Sequence, residues 1–511
     1  MNGFRDEARQ KAIRERFDAL ARDRERWQRR NRYYYDDQRR YFRFLVPEGL
    51  RVLEIGCGLG DLLASVKPAR GLGLDLSPEM VARAAVRHPE LEFRVADVET
   101  LELDEPFDVI ILADVVGHLL DVETAFRRLR RCCTPKTRLV ISYYNFLWEP
   151  VLKLGEALGL KMPQQHQNWL ALEDVSNLLH LADYEVVKTE RRLLLPVAIP
   201  LLSTAANQVL AFLPGFRSAC LCHYLVARPV FPGARRPLTP VPPSPSPLPS
   251  RERGRVEGER ERSDGTVSDL ASEYSVSIVI PCRNERGTIE PAIRRLPQFG
   301  ARQEIIFVDG HSTDGTQEEI RRVMQAFPDR DIKFLVQDGK GKGDAVRKGF
   351  AHATGDILMI LDADLTVPPE DLPKFYEAIA SGKGEFINGC RLVYPMEDQA
   401  MRFLNLLGNK FFSLAFSWLL NQRIKDTLCG TKVLWREDYR RIEQGRAYFG
   451  EFDPFGDFDL LFGAAKLNLK IVEVPIRYQD RTYGTTNIRR FYHGWLLLRM
   501  TVFGFLRLKS L

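Results

Sequence analysis

Short apolar runs recur along two stretches of the chain, each followed by a glycine, an acid or both. The first stretch holds Val52-Leu53-Glu54-Ile55, the run from Gly71 to Leu74 that ends in Asp75, a run closing at Asp97, and Val109-Ile110-Ile111-Leu112. The second holds Val276-Ser277-Ile278-Val279-Ile280, Glu304 to Val308 ending in Asp309, Phe334-Leu335-Val336, and Ile357 to Leu361 ending in Asp362-Ala363-Asp364. Apolar runs of this length, bounded by turn residues and spaced by helix-length segments, predict buried parallel strands with helical crossovers. The fold class expected is therefore α/β, with two Rossmann-like domains.

Between and around these stretches the pattern changes. Residues 1–44 are dense in Arg and Glu with apolar positions at Ile13, Phe17, Leu20 and Trp27, a helical spacing with a thin stripe. This predicts an N-terminal segment of surface helices, with Tyr33-Tyr34-Tyr35 as a lid over a ligand. Leu193 to Leu213 is apolar but broken by Pro196, Pro200 and a polar run, which suits a hydrophobic cover or an interfacial segment better than a membrane span. Pro229 to Pro249 is proline-rich, and Arg251 to Arg262 alternates Arg, Glu and Gly. Neither can build a core, so 229–273 is expected to be a disordered tether between domains at 45–228 and 274–511, with no compositional reason for them to dock. Residues 400–420 are rich in Phe and Leu, and 495–508 is apolar but interrupted by Arg499 and Arg507. The latter reads either as an interfacial helix at a lipid surface or as a helix packed on the core.

Length and charge narrow the picture a little further. A chain of 511 residues is too long for one core. Its net charge of +6, from 74 basic and 68 acidic residues, is too diffuse to argue for nucleic acid, though it suits an anionic membrane. Eight cysteines without a C-x-x-C pair, and no apolar leader, suggest packed thiols in a reducing cytoplasm.

The acids stand where open α/β sheets bind ligands, at the C-terminal ends of strands. Asp362 and Asp364, one residue apart, can share a hard divalent cation whose other positions suit diphosphate oxygens and water. Gly339-Lys340-Gly341-Lys342-Gly343 offers two ammonium groups to phosphates but lacks P-loop spacing. In the first domain Gly56, Gly58 and Gly60 let backbone approach a ligand closely, and Asp75 can accept both hydroxyls of a ribose. Asp61 stands where a nicotinamide fingerprint requires glycine, which weighs against a dehydrogenase.

Glu54-Ile55-Gly56-Cys57-Gly58-Leu59-Gly60 with Asp75 and Asp97 resembles the class I S-adenosylmethionine-dependent methyltransferases. The resemblance implies that Glu54, Gly56, Gly58, Gly60, Asp75 and Asp97 hold S-adenosylmethionine, Asp75 at the ribose and Asp97 beside the adenine. Asp114, His118 and His166-Gln167-Asn168-Trp169 are candidates on the side of an unknown methyl acceptor.

The second domain is similar to the family-2 glycosyltransferases of the GT-A fold, and within them to the polyprenyl-phosphate and dolichyl-phosphate sugar transferases. Pro281-Cys282-Arg283-Asn284-Glu285, Asp309, Gly341-Lys342-Gly343 and Asp362-Ala363-Asp364 carry the likeness, with Gly389-Cys390-Arg391, Asp426, Asp457-Phe458-Asp459 and Arg481 farther on. It implies a nucleotide-sugar site at Pro281, Asn284, Glu285, Asp309, Lys342, Asp362 and Arg391, and a magnesium or manganese ion on Asp362 and Asp364. Asp457, Asp459 and Arg481 are implied to act at the transfer step. Thr366 departs from the family, replacing a Gln near the metal, and Thr485-Thr486-Asn487 replaces a Ser-Lys pair. The function expected is a cytoplasmic fusion enzyme, peripheral at the membrane face. It would move a sugar from a nucleotide donor to polyprenyl phosphate with inversion, and methylate a second acceptor. A soluble-glycan acceptor and a non-catalytic scaffold are the alternatives.

Overall fold

The computed structural model describes residues 14–163, 168–213, 215–231, 273–391, 403–448, 458–476 and 490–509, with 479, 481 and 483; at 403–410 and 490–494 only the backbone is described. His166, Asp457 and nearly all of the expected tether lie outside the described residues.

The first sheet comprises β1 (Arg51–Ile55), β2 (Arg70–Asp75), β3 (Glu92–Val95), β4 (Phe107–Ala113), β5 (Cys133–Tyr144), β6 (Tyr184–Arg192) and β7 (Cys222–Pro229), in the order β3-β2-β1-β4-β5-β7-β6. All pairs are parallel except those made by β7. The second sheet comprises β8 (Val276–Cys282), β9 (Gln303–Asp309), β10 (Asp331–Val336), β11 (Ile357–Ile360), β12 (Phe386–Cys390), β13 (Lys432–Trp435) and β14 (Ile471–Pro475), ordered β10-β9-β8-β11-β13-β12-β14 with β13 antiparallel to its neighbours. In both sheets the order reverses beside the central strand, at β1/β4 and at β8/β11, and the crevice outside the strand ends there is the natural ligand position. The expected α/β class with two Rossmann-like units is what the structure contains.

Two expectations fail. Helices α1 (Arg24–Arg30) and α2 (Arg32–Leu45) follow an earlier one at 14–21. Of these α2 is not a surface helix, since Tyr34, Asp37, Gln38, Tyr41, Phe42, Phe44 and Leu45 are all buried. Its aromatic positions recur at helical spacing, and the intervening arginines mask that stripe in the composition.

The domains also dock. Arg138 on β5 donates to Glu385 Oε2 at 2.5 Å and to the Asn468 carbonyl at 2.9 Å, with both charged side chains buried. Glu190 on β6 accepts from Lys509 and, at 2.5 Å, from Asn421 Nδ2. Asn468 Nδ2 donates to the carbonyl of Leu45 at 2.9 Å, and Lys466 Nζ to that of Phe44. One hydrophobic cluster runs across the junction, from Tyr41 and Phe42 to Phe416, Phe462 and Met500. Ion pairs spanning hundreds of residues of sequence cannot be read from composition, which is why a loose tether was expected.

Candidate active sites

The first cavity forms where β1 turns into helix α3 (Asp61–Ser65). Gly56, Gly58 and Gly60 all have positive φ (69°, 52° and 75°), a conformation that L side chains rarely adopt. The turn is pinned by the Gly56 and Cys57 amides donating to the Leu74 carbonyl at 2.7 and 3.1 Å. Asp75, at the end of β2, accepts from the Gly58 amide at 2.8 Å and from the Ser77 amide at 2.9 Å. Burial raises its carboxyl above the usual value, and those two amides and Arg24 oppose the rise. Glu54 is buried, and burial drives its carboxyl well above the ordinary range; its Oε2 has no hydrogen-bond partner among the described residues. Asp97 lines the same cavity and caps a short helical turn by accepting from the Glu99 amide at 2.9 Å. Five of the six expected ligand residues, Glu54, Gly56, Gly58, Asp75 and Asp97, thus line one cavity, and Gly60 closes the turn beside it without lining it.

The N-terminal helices close it. Phe17, Arg24, Gln28, Tyr35, Gln38 and Arg39 line the cavity from one side. Tyr34 donates its hydroxyl to Asp114 Oδ2, Gln38 Nε2 donates to the same oxygen at 2.8 Å, and Ser142 Oγ donates to Asp114 Oδ1 at 3.0 Å. His118 meets the Phe17 ring edge-on at 5.6 Å, and burial, with Lys161, Arg24 and Arg16 adding to it, pushes its imidazole down to about 4. It is therefore neutral at physiological pH. Asn168 donates to the Leu119 carbonyl at 2.9 Å and anchors a loop.

The second cluster gathers at the ends of β8, β9 and β11. Pro281 lies near the end of β8, and Asn284 beyond it adopts φ 57°, its Oδ1 accepting from the Thr313 amide at 2.9 Å and its own amide donating to Ser312 Oγ at 2.8 Å. Asp309, buried at the end of β9, accepts from the Ser312 amide at 3.0 Å and Gln317 Nε2 at 2.7 Å, while its Oδ1 has no partner among the described residues. Lys342 opens helix α4 (Lys342–His352) and meets Asp362 at 2.6 Å. Burial acts to raise the Asp362 carboxyl, but Lys342, with Lys432 and Arg391, holds that group below the usual range. Arg481 bridges Glu285 at 3.1 Å and Asp364 at 3.0 Å. Thr366 donates from its hydroxyl to Asp364 Oδ1 at 2.8 Å and from its amide at 3.1 Å, so it orients this acid.

Glu285 completes an acidic cluster with Asp362 and Asp364. Burial, with the nearby Asp364, Asp314 and Asp362 adding to it and Arg481 opposing, pushes the Glu285 carboxyl up to about 7, and its Oε2 lacks a partner among the described residues. Three acids thus face two cations. No group of three His, Cys, Asp or Glu side chains among the described residues is placed to hold a metal ion.

Comparison with known families matches residues 27–189 to a methyltransferase domain model and residues 277–442 to glycosyl transferase family 2. The chain joins a methyltransferase domain to a family 2 glycosyltransferase domain. Its glycosyltransferase region is 31% identical over 219 residues to a dolichol-phosphate mannosyltransferase of Pyrococcus furiosus, covering 42% of this chain and 59% of that protein. A stretch of 116 residues is 36% identical to the dolichol-phosphate mannosyltransferase of Saccharomyces cerevisiae, covering 22% of this chain and 42% of that one. Among solved structures, an S-adenosylmethionine-dependent methyltransferase from Thermotoga maritima aligns at 19% identity and a TM-score of 0.34, over 42% of this chain and 99% of its own.

Not every residue singled out from sequence joins its site directly. In the glycosyltransferase domain Arg391 forms a two-pronged pair with Asp426 at 2.7 and 2.8 Å, an anchor for the loop after β12. Asp459 is engaged by Arg446 at 2.9 Å. In the methyltransferase domain, Tyr34 was expected only as part of a lid, and Arg24 and Gln38 were not singled out from the sequence. The available signal was the helical recurrence of Tyr34, Gln38, Tyr41 and Leu45, obscured by the arginines between them.

Proposed function

We propose that the glycosyltransferase domain transfers a sugar from a nucleotide donor to polyprenyl phosphate, with inversion and with a divalent cation, and that the methyltransferase domain methylates a second acceptor using S-adenosylmethionine. The observation that carries the reading is the cluster of Asp362, Asp364 and Glu285 facing Lys342 and Arg481 at the ends of β8 and β11. Asp362 and Asp364 hold magnesium or manganese, which when bound would neutralise charge on the donor diphosphate. Lys342 and Arg481 offer N–H donors to oxygens of the leaving diphosphate, where negative charge grows during transfer. The orphan Oδ1 of Asp309 accepts from the nucleobase, and Asn284 and Pro281 shape the loop beside it. A phosphate acceptor is already ionised and needs no general base, so Asp457 and Asp459 are positioning groups, Asp459 through Arg446.

In the methyltransferase domain Asp75 accepts from the ribose hydroxyls, Asp97 from the adenine amino group, and the glycine turn faces the donor's charged end. Methyl transfer is an in-line displacement, so the main task of the protein is alignment. The similarity to dolichol-phosphate mannosyltransferases supports a lipid-phosphate acceptor, and no helix among the described residues is long and apolar enough to cross a membrane. We place the enzyme at the cytoplasmic face of a membrane, bound peripherally.

Incubation with labelled nucleotide sugars, membrane lipid extract and manganese tests this. Label should enter a lipid phosphate and cease to do so with a chelator. Transfer only to a water-soluble glycan would overturn the acceptor, and chelator-resistant transfer would overturn the metal.

A further inference from the structure

The segment before β1 packs onto the glycine turn through specific contacts. In the helix at 14–21, Ala21 is buried in a small apolar cluster with Leu59 of the turn and Met80. Asp18 of the same helix accepts from Ser77 Oγ and, at 3.3 Å, from the Glu79 amide. Ser77 caps the helix Pro78–Arg87, and its own amide donates to Asp75 at 2.9 Å. The N-terminal segment is therefore latched at two places, on the turn after β1 and on the turn after β2.

This latch fixes Arg24. A turn at Arg22 and Asp23 separates the helix at 14–21 from α1, which opens at Arg24. The Arg24 side chain lines the cavity, and a side-chain carbon added to Gly58 would lie 4.0 Å from its Nε. That Nε is buried and has no hydrogen-bond partner among the described residues, while Nη1 donates to Met162 Sδ at 3.5 Å, a weak acceptor. A guanidinium keeps its charge at any physiological pH, and burying one of its donors unmatched is costly.

The other charges of the cavity narrow the group that Arg24 takes. Six acids line it, Glu54, Asp61, Asp75, Asp97, Glu99 and Asp114, against two arginines. Of the two, Arg39 is paired with Asp36 at 2.7 Å. Arg24 is thus a cation with an unmatched donor in a cavity whose acids suit hydroxyl and ammonium groups. It faces the glycine turn, beside which the charged end of the methyl donor is proposed to lie. A carboxylate is the anion whose paired oxygens match a guanidinium.

We propose that Arg24 binds the carboxylate of the methyl donor, and that residues 14–30 form a lid whose closed position is strengthened by that contact. The proposal rests on S-adenosylmethionine being the donor. Its carboxylate is its one anionic group, since its sulfonium and ammonium are both cationic. With the carboxylate bound, the lid is held by a charge-assisted pair as well as by Asp18 and Ala21. A nucleoside without the carboxylate leaves the latch alone to hold it. Selection for the intact amino-acid end of the donor thus comes from a helix that precedes the whole sheet.

Calorimetry on the full chain tests this with S-adenosylmethionine and with its decarboxylated form, which keeps both cationic groups. The wild type should bind S-adenosylmethionine about 10–100-fold more tightly than the decarboxylated ligand, and Arg24→Gln should lose most of that preference by weakening S-adenosylmethionine alone. Arg24→Lys keeps the charge and should retain part of the preference. Hydrogen exchange gives a second readout: S-adenosylmethionine should protect the amides of residues 14–30, and the decarboxylated ligand should protect them less. Equal weakening of both ligands by Arg24→Gln would make Arg24 a packing residue and overturn the proposal. Unchanged affinity for S-adenosylmethionine in that variant would overturn it too, while leaving the donor assignment standing. Failure of the wild type to bind S-adenosylmethionine would overturn the donor assignment and the proposal together.

Discussion

Arg138 of the methyltransferase sheet and Glu385 of the glycosyltransferase domain form a 2.5 Å ion pair with both side chains less than a tenth exposed. A buried pair is weak evidence for stability as such, yet removing one member strands the other in a dry environment. Glu385→Ala should therefore cost about 3–5 kcal/mol, whereas a combined Arg138→Met, Glu385→Leu variant should come out near neutral. Urea unfolding of both variants measures this, and equal losses in the two would show that the pair is solvated.

Docking predicts how the chain behaves once cut. Proteolysis between residues 232 and 272 should leave two fragments that co-elute in size exclusion at moderate salt. Separate elution of folded fragments would mean that the interface is held only by the intervening chain.

Lys188 donates to the Ala465 carbonyl across this interface at 3.2 Å. Burial, with Lys466 and Lys509 adding to it and Glu190 opposing, pushes its ammonium down to about 7, and burial brings Lys466 to about 8. Unfolded lysines keep their protons up to about 10.4, so between roughly pH 7 and 10 the unfolded chain binds more protons than the folded one. Stability should rise with pH across that window, by at most about 1.4 kcal/mol per pH unit for each lysine. Lys188→Met should flatten the rise, and a melting temperature that falls from pH 7 to 9 in the wild type would contradict the assignment.

Thr366 holds Asp364 by two hydrogen bonds. Thr366→Val should loosen that acid and lower the affinity for manganese by about 10–100-fold, as loss of an orienting partner typically does. Saturating metal should restore most of the sugar-transfer rate. If titration gives the wild-type metal affinity, Asp364 is not a ligand.

Asp75→Ala removes the acceptor proposed for the ribose hydroxyls, and a lost charged hydrogen-bond partner costs about 1.5–3 kcal/mol. Calorimetry with S-adenosylmethionine should show that loss while donor hydrolysis by the other domain is unaffected. Unchanged affinity would move the ribose elsewhere.

The strand ends were legible because apolar runs of four or five residues closing on Asp75, Asp309 or Asp362 have few other meanings. The glycine turn was legible for a similar reason, since three positive-φ positions in five residues demand glycine. Buried charge was not. Arg138, Lys188, Glu190 and Lys509 look like surface residues in a sequence, and only partners brought together across long stretches, 319 residues between Glu190 and Lys509, make their burial tolerable. The roles of Arg391 and Asp459 were obscured in the opposite sense: a motif names the residue, but whether it faces the ligand or an internal ion pair depends on Asp426 and Arg446.

Helix α2 reaches from one functional region to another. Near its start Tyr34 and Gln38 hold Asp114 at the methyltransferase cavity, and at its end the carbonyls of Phe44 and Leu45 accept from Lys466 and Asn468 of the glycosyltransferase domain. A ligand that favours the folded cavity adds its binding free energy to whatever unfolds together with that cavity. Supply of the methyl donor would then govern how long the sugar-transferring half survives proteolytic surveillance, linking the abundance of one activity to the nutritional state that feeds the other.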